Sequence, residues 1–350
     1  MKKSFLTFLL YTICFSFSSC SKSSLFYEEK SPYHYGILKE INDTITNHPE
    51  IAYKLLKKID STALWNDFSD LEYFEYQILL SEANYKNYYN QNNFDEITNA
   101  NNYFDSLTSL YPRDIEIRYL NAKSKYYKGV GFEELENIED AFKSYLKSLE
   151  IIDNTILKRN KIDEQLYNDI LHFKALTYTR LGDILYWHDV YNYAIECITN
   201  ANRLFELENN QNALSRNNII LAIIYGLSNN HDEALFHLSV ADSILAINNI
   251  DKTLKNDIER VKASVMYNIG YKDEAFNSVI KQYKTLDNPK QAMEAAGVLG
   301  DMYYNRKDYD SAIYYYEKYF RDNRYSKINA SNNIIEIGII TGDNELIAKY

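Results

Sequence analysis

Residues 178–201 read YTRLGDILYWHDVYNYAIECITNA, and this stretch decides the fold. Its apolar residues recur at the spacing of a helix face on both sides of a polar turn at residues 187–189. A small residue, Gly182, precedes the turn, and another, Ala194, lies twelve positions after Gly182. Two helices approach closely only where their contacting side chains are small. The stretch therefore predicts an antiparallel helix pair with Gly182 and Ala194 at the contact.

The same twelve-residue step from a small residue to an alanine occurs three more times. The further pairs are Ala222 with Ala234, Ala263 with Ala275, and Gly300 with Ala312. One helix pair cannot bury its apolar face alone, so consecutive pairs are expected to stack around one continuous core. The low content of turn-forming residues, 10 Gly and 4 Pro in 350 residues, argues against a sandwich, a barrel or a Rossmann-type fold. The sequence predicts an all-α array.

This pattern resembles the tetratricopeptide repeat (TPR), and the resemblance extends over about residues 35–350. It implies a TPR-type α-solenoid, which is a right-handed superhelix of antiparallel helix pairs. It also implies a concave groove lined by the first helix of each pair. A chance bundle of amphipathic helices remains the alternative.

Two looser copies precede the regular ones. Ser81 and Ala100 are 19 residues apart, as are Ala122 and Ala141, so we expect the turn between the two helices to be seven residues longer in both copies. Pro49 is expected to open a further helix, because proline is favoured in the first helical turn. The apolar face of that helix would consist of Ile51, Ala52, Leu55, Leu56 and Ile59.

The N-terminus has the features of a bacterial signal peptide. Lys2 and Lys3 precede an apolar stretch over residues 5–15 that is too short for a comfortable membrane span. The segment Phe17-Ser18-Ser19-Cys20 resembles the lipobox of bacterial lipoproteins. That resemblance implies cleavage before Cys20 and attachment of lipid to its sulfur, and plain secretion with an incidental cysteine is the alternative.

The other cysteines agree with this interpretation. Cys14 would leave with the signal peptide and Cys20 would carry lipid, so Cys197 has no disulfide partner. Its apolar helix face predicts an inert, buried thiol rather than a nucleophile. An acidic run that often follows the lipidated cysteine of surface-exposed Bacteroidetes lipoproteins is absent here. We therefore expect a lipid anchor in the outer membrane, on its periplasmic face.

The predicted organisation follows the chain in five segments. These are a signal peptide (1–19), the lipidated cysteine and tether (20–33), irregular TPR-like helices (34–153), regular repeats (154–325) and an incomplete terminal repeat (326–350). The last segment would expose core residues such as Leu346 and Ile347, so it could pair with a partner or a second copy. The arrangement resembles exported, sensor-like TPR proteins of Bacteroidetes, and a truncated relative of such a regulator is one interpretation.

Charge and residue spacing exclude several function classes. A net charge of -11 disfavours contact with phosphate backbones, so no nucleic-acid partner is expected. The six histidines form no His-x-x-x-His or His-Glu-x-x-His pair, and no phosphate-binding loop or nucleophile elbow occurs. We expect no metal, no cofactor and no enzymatic activity.

The TPR resemblance implies which residues face the groove, namely those one and four or five positions after the small residue of the first helix. These are Asp183, Tyr186 and Trp187, then Ser264, Tyr267 and Asn268, then Asp301, Tyr304 and Asn305. Exposed aromatic side chains beside Asn and Asp suit recognition of an extended peptide. The alternative is that Tyr186, Trp187 and Tyr267 pack against adjacent repeats.

Two functions fit these observations. The first is a lipid-anchored TPR scaffold that binds a protein or peptide in the cell envelope. The second is a glycan-uptake lipoprotein resembling the SusD group, although the regular steps between Gly182 and Gly300 leave no room for the large sugar-binding insertion of that group. The Lys and Asn clamp of chaperone-binding TPRs is missing, since Thr179, Asp183, Ile219 and Ile223 occupy those positions.

Overall fold

The computed structural model describes residues 31–46, 48–87, 89, 91, 93–153, 164–248, 252–319 and 324–350. Within these ranges the chain forms sixteen α-helices and one short 3-10 helix, and no β-strand. The all-α prediction is confirmed. The predicted signal peptide and Cys20 lie outside the described residues.

The chain divides into two compact units, Met1–Thr177 and Tyr178–Tyr350. The first unit contains α1 (Pro32–Ile45), α2 (Pro49–Thr62), α3 (Asp70–Lys86), α4 (Phe94–Leu110), α5 (Ile115–Glu134) and α6 (Ile138–Ile151). Helix α7 (Glu164–Trp187) begins in the first unit and ends in the second. The second unit continues with α8 (Tyr191–Leu207), α9 (Gln211–Leu227), α10 (His231–Asn248), α11 (Lys252–Asn268), α12 (Lys272–Thr285), α13 (Pro289–Asn305), α14 (Tyr309–Tyr319), α15 (Arg324–Thr341) and α16 (Asn344–Lys349).

Within each unit the helices form two layers. Consecutive helices pack against one another from α1 to α6 and from α8 to α16, and odd-numbered helices also contact one another, as α3 contacts α1 and α5, and α11 contacts α9 and α13. We call the odd-numbered helices A helices and the even-numbered ones B helices. Contacts between successive A helices are the arrangement of a TPR-type α-solenoid, so the predicted fold class is confirmed.

Close approach of A and B helices explains the small residues. A Cβ atom added to Gly182 would lie 2.6 Å from Cδ1 of Ile198 on α8, and one added to Gly300 would lie 2.5 Å from the Tyr316 ring on α14. The partner alanines of the B helices are buried in all four regular copies, at 3% exposure or less. The predicted contact at the small position is therefore present.

A fifth copy of the twelve-residue step begins at Gly129, which is twelve residues before Ala141. A Cβ atom on Gly129 would lie 2.8 Å from the Tyr145 ring, which repeats the geometry at Gly300. Helix α5 runs to Glu134 and only three residues separate it from α6. The expectation of a long turn after Ala122 is therefore wrong, because the extra seven residues are helical.

The other irregular copy does have a longer connection. Seven residues (87–93) join α3 to α4, against three between α7 and α8. Two side chains of this connection, Gln91 and Asn93, are buried, and their amides donate to the backbone carbonyl oxygens of Ser81 and Gln77 at 2.9 and 3.2 Å. Buried polar groups need such partners, so the connection is held as part of the core.

The A-to-B turns share one backbone device. The residue five positions before the B-helix alanine has a left-handed conformation in five copies, with φ between 57° and 111°. These residues are Glu136, Asp189, Asn229, Gly270 and Lys307. The next residue then donates its N–H to the carbonyl five positions earlier, as Val190 does to Leu185 at 2.9 Å. This Schellman arrangement ends the A helix and satisfies its last carbonyl groups.

Other expectations concern single helices. Pro49 begins α2 as predicted, with Ala52, Leu56 and Ile59 buried, but Ile51 is 45% exposed and lies outside the core. Among the helices described above, none combines the length and apolar character needed to cross a membrane. The last helix, α16, packs as a B helix, and its Leu346 contacts the cluster around Tyr316.

Candidate functional site

The second unit carries a line of polar and aromatic side chains on its A helices. Residues four and seven positions apart share one helix face, and this face contains Asp257, Arg260 and Ser264 on α11, and Glu294, Gly297 and Asp301 on α13. Helix α7 contributes Asp183 and Tyr186 to the same layer.

Arg260 lies at the centre of an ion network between α11 and α13. Its Nη2 atom is 2.5 Å from Oε2 of Glu294 and 3.2 Å from Oδ1 of Asp257. The Gln291 amide donates to the same Asp257 oxygen at 3.1 Å and accepts from the Asn256 amide at 3.1 Å. The network fixes the two helices side by side and occupies the guanidinium with two carboxylates.

Asp301 follows Gly300 on α13 and accepts a 2.8 Å hydrogen bond from the Tyr316 hydroxyl on α14. Surrounding protein raises the pKa of its carboxyl to about 6, and the hydrogen bond from Tyr316 opposes that increase. Solvent nevertheless reaches the side chain, which is exposed. The Asp301 carboxyl group therefore has protein atoms around it on the α14 side and remains accessible to solvent.

Tyr319 reaches the same surface from α14. Its ring lies over Gly297, where an added Cβ atom would be 3.0 Å from the ring. Burial raises the pKa of the Tyr319 hydroxyl, Asp301 and Glu294 raise it further, and Arg260 lowers it. The Tyr319 hydroxyl is therefore within electrostatic range of the charged groups on both α11 and α13.

Tyr186 connects α7 to this cluster. Burial raises the pKa of its hydroxyl, nearby Tyr319 and Asp183 raise it further, and Arg260 opposes the increase. Helices α7 and α14 are far apart in sequence, yet Tyr319 contributes to the raised pKa of Tyr186, so the two tyrosines belong to one surface of the second unit. We call it the A-helix groove and define it by six residues: Asp183, Tyr186, Arg260, Glu294, Asp301 and Tyr319.

The structure thus brings together only some of the predicted groove residues. Asp183 is half-buried with its carboxylate 3.7 Å from Arg180, and Trp187 lies beside Tyr186 with ring centroids 4.9 Å apart. Trp187 is 36% exposed, so it borders the groove at the end of α7.

Tyr267 does not line the groove. It is 4% exposed, and its hydroxyl donates to the backbone oxygen of Met302 at 3.1 Å. The expectation that it contacts a ligand is therefore wrong, because the next A helix covers it. Its neighbours are accessible, since Ser264 is half-buried and Asn268 is exposed.

Tyr304 and Asn305 lie at the C-terminal end of α13. The Tyr304 hydroxyl donates to Oε1 of Glu336 on α15 at 2.8 Å, and Asn305 is exposed. Both residues are accessible on the A-helix layer but do not belong to the cluster around Asp301.

Sequence reasoning missed Arg260, Glu294 and Tyr319. Arg260 lies four positions before Ser264, and Glu294 lies seven positions before Asp301. An extension of the groove rule by one and two helical turns towards the N-terminus finds both residues. The sequence gives no comparable spacing rule for Tyr319. It belongs to a B helix, and its ring reaches the groove by lying over Gly297, which has no side chain.

The first unit has its own cluster on the A helices. Lys123 of α5 is 2.5 Å from Oε2 of Glu82 on α3, and Lys86 is 3.6 Å from the other oxygen. Burial raises the pKa of Glu82, but the two ammonium groups outweigh it and the net pKa is lowered. Glu82 and Lys123 follow Ser81 and Ala122, so the groove rule applied to those two small residues would have found them.

Groups able to perform chemistry are sparse in the part of the chain that the structure describes. No three His, Cys, Asp or Glu side chains come together there as metal ligands. The Cys197 thiol is partly buried, and burial together with Glu196 raises its pKa to about 11, which keeps it protonated and unreactive at neutral pH.

Comparison with solved structures agrees with the fold class. A Rap protein complexed with competence and sporulation factor is similar over 91% of this chain and 86% of its own length, with a TM-score of 0.65 and 14% identity. NprR in complex with its cognate peptide NprX is similar over 91% of this chain and 87% of its own, with a TM-score of 0.60 and 13% identity. At such identities the likeness concerns the fold.

A third similar structure is named by its repeats. It is a signal transduction ATPase with a tetratricopeptide repeat sensor from Pyrococcus horikoshii, which matches 89% of this chain and 45% of its own length, with a TM-score of 0.55 and 14% identity. No protein-family model and no curated protein sequence matches the chain. The class assigned by these findings is a TPR-type helical repeat protein.

Proposed function

We propose that this chain is a receptor that binds an extended peptide, or an extended segment of a protein, in the A-helix groove. The observation that carries this proposal is that Tyr186, Tyr319 and Asp301 come from three helices to one surface of the second unit, with the Tyr319 ring over Gly297 one turn before Asp301. Tyrosine rings supply rigid contact area, and polar groups beside them fix the orientation of a peptide.

The solved structures add support to this proposal. Two of the proteins similar in fold are described as complexes with a peptide or a signalling factor. We extend peptide binding to this chain because its groove lies on the A helices, which line the ligand-binding groove of TPR-type proteins.

Binding without catalysis is the form of the proposal that the contacts favour. Arg260 is held by Glu294 and Asp257, and Asp301 accepts from Tyr316. These ion pairs and hydrogen bonds fix the positions of the charged groups.

Selection from a random peptide library displayed on phage tests the groove. The purified full chain is expected to enrich a set of peptides, and the double variant Tyr186→Ala/Tyr319→Ala to lose that set. The control is Tyr193→Ala, which removes a 63% exposed tyrosine from B helix α8. The proposal fails if no peptide is enriched or if the groove variant selects the same set as the parent. A glycan array probed in parallel would favour the glycan-binding alternative if it alone gave a signal.

We further propose that lipid on Cys20 anchors the receptor to the outer membrane, with the repeats on the periplasmic side. The support is the lipobox-like segment and the basic, then apolar, residues before it. Metabolic labelling with a palmitate analogue should mark the chain in membrane fractions, and Cys20→Ser should abolish both label and membrane retention. Cys197→Ser is the matched control. Label that persists in Cys20→Ser contradicts this anchor.

A further inference from the structure

We propose that the A-helix groove contains a subsite for a cationic side chain of the bound peptide, formed by the Asp301 carboxylate with the Tyr319 and Tyr186 rings beside it. This inference rests on the proposed peptide-binding function and adds the chemistry of the ligand. The cation is the guanidinium of an arginine or the ammonium of a lysine.

The first observation is the state of Asp301. In the described part of the chain its hydrogen-bond partner is the Tyr316 hydroxyl, and no Lys, Arg or His side chain forms an ion pair with it. The hydrogen bond occupies Oδ1 from the α14 side, while solvent still reaches the side chain. A carboxylate that accepts one hydrogen bond from the protein and is open to solvent on its other side can accept charge-assisted hydrogen bonds from a ligand cation.

The cation that influences both Tyr319 and Tyr186, Arg260, is already paired with protein carboxylates. Arg260 lies against Glu294 at 2.5 Å and Asp257 at 3.2 Å. Arg260 carries one positive charge, whereas Glu294 and Asp257 carry two negative charges. Asp301 adds a third carboxyl group to the same surface. The groove is therefore electronegative where Asp301 lies, which complements a basic ligand and disfavours an acidic one.

Aromatic side chains from two helices belong to the same surface, and the Tyr319 ring lies over Gly297, one helical turn before Asp301. Tyr319 of α14 interacts electrostatically with Asp301, and Tyr186 of α7 interacts with Tyr319. Tyrosine rings attract guanidinium and ammonium groups, so the rings and the carboxylate favour the same class of ligand group. A second acidic group on α7, Asp183, is within range of Tyr186 and adds to the negative potential.

Binding of the ligand cation should depend on the protonation state of Asp301. The groups that face the Asp301 carboxyl are Tyr316 and Tyr319 from α14, with Arg260 of α11, Glu294 of α13 and Tyr186 of α7 near Tyr319. Because the pKa of Asp301 is raised to about 6, the free protein is partly protonated below that pH. Cation binding requires the ionised form, so affinity should increase as pH rises from about 5 to about 7.

The test uses three immobilised pools of short peptides that are random except at a central position fixed as Arg, citrulline or Glu. Citrulline has the shape of arginine without its charge. The full chain is expected to retain the Arg pool about tenfold better than the citrulline pool at pH 7, and the Glu pool least. Asp301→Asn should abolish this preference and its pH dependence, whereas Asp310→Asn, which removes an exposed acid from α14, should retain both.

The outcomes separate the two proposals. If the wild-type chain retains all three pools equally, peptide binding stands and the cation subsite is wrong. If it retains none, both proposals fail. A preference for Arg that survives Asp301→Asn places the cation elsewhere and overturns the assignment. Thermal unfolding of each variant, followed by circular dichroism, shows that a lost preference does not arise from loss of the fold.

Discussion

The Tyr316 hydroxyl donates a 2.8 Å hydrogen bond to the Asp301 carboxylate across the contact between α14 and α13. Gly300 makes this bond possible, since a Cβ atom there would lie 2.5 Å from the Tyr316 ring. The same tyrosine therefore fills the contact between the two helices and orients the carboxyl group that we assign to ligand binding.

Removal of this hydroxyl should destabilise the chain. In Tyr316→Phe the Asp301 carboxylate loses its donor, and we expect the free energy of unfolding to fall by about 1 kcal/mol at pH 7, since solvent can replace part of the bond. The loss should be smaller at pH 5, where Asp301 is largely protonated given its pKa of about 6. Urea unfolding at both pH values measures it. Tyr314→Phe, at a 51% exposed position of the same helix, should change little, and an equal loss there would contradict the assignment.

Asp301 should also leave a pH signature in stability. Its pKa is raised from 3.8 to about 6 in the folded chain, so the folded state binds the proton more tightly than the unfolded state. Between those two pH values the stability contributed by this group must fall as pH rises. Asp301→Asn keeps an acceptor for Tyr316 and removes the titration. The melting temperature of the wild type minus that of the variant should therefore decrease from about pH 4 to pH 6 and then level off. A difference that does not change over this range would refute the shift.

Removal of one partner of the ion pair between Lys123 and Glu82 in the first unit should lower the stability of the chain. Lys123→Met leaves the buried Glu82 carboxylate with Lys86 at 3.6 Å, and we expect a loss of about 2–4 kcal/mol. The double variant Lys123→Met/Glu82→Met should recover most of it, because no buried charge remains. Denaturant unfolding compares the three chains. Lys143→Met breaks an exposed pair with Glu139 and should change stability little, since solvent screens such pairs. An equal loss of stability in Lys123→Met and Lys143→Met would contradict the assigned cost of the buried pair.

Two glycine-to-alanine changes should have opposite effects. Gly129→Ala places a Cβ atom 2.8 Å from the Tyr145 ring, whose hydroxyl is held by Glu133 at 2.6 Å, so the crowding should cost about 1–3 kcal/mol. Gly36 lies inside α1 with nothing within 4 Å of an added Cβ atom. Gly36→Ala should therefore stabilise by up to about 1 kcal/mol through helix propensity. Thermal unfolding of the two variants measures both effects. A higher melting temperature for Gly129→Ala would mean that α5 and α6 are not in close contact there.

Much of the fold can be predicted from the sequence because helix contacts demand small residues at fixed spacing. The pairs that begin at Gly182 and Gly300 are of this kind. The pair Gly129 with Ala141 is hidden by Ala122, which lies seven residues before Gly129 on the same helix face, so the pattern alone accepts either residue. Only the observed end of α5 at Glu134 separates the two registers.

The candidate site is harder to predict, because exposure depends on the neighbouring repeat. Tyr267 and Tyr304 occupy the same repeat position, four residues after the small residue. Tyr267 is covered and bonds to Met302, whereas Tyr304 is accessible and reaches Glu336. A repeat rule assigns both to the groove, since it contains no information on which side chains the next A helix covers.

Helix α7 shows how this architecture can change in length, because it has 24 residues against 17 in each of α9, α11 and α13. Seven residues fall only about 20° short of two full helical turns, so an insertion of that size extends a helix while its buried face keeps its partners. An insertion of five residues would rotate the following face by about 140° and would direct apolar side chains into water. Related chains should therefore differ in helix length mainly in whole-turn steps, and a longer A helix such as α7 would deepen the walls of a groove without a change in the number of repeats.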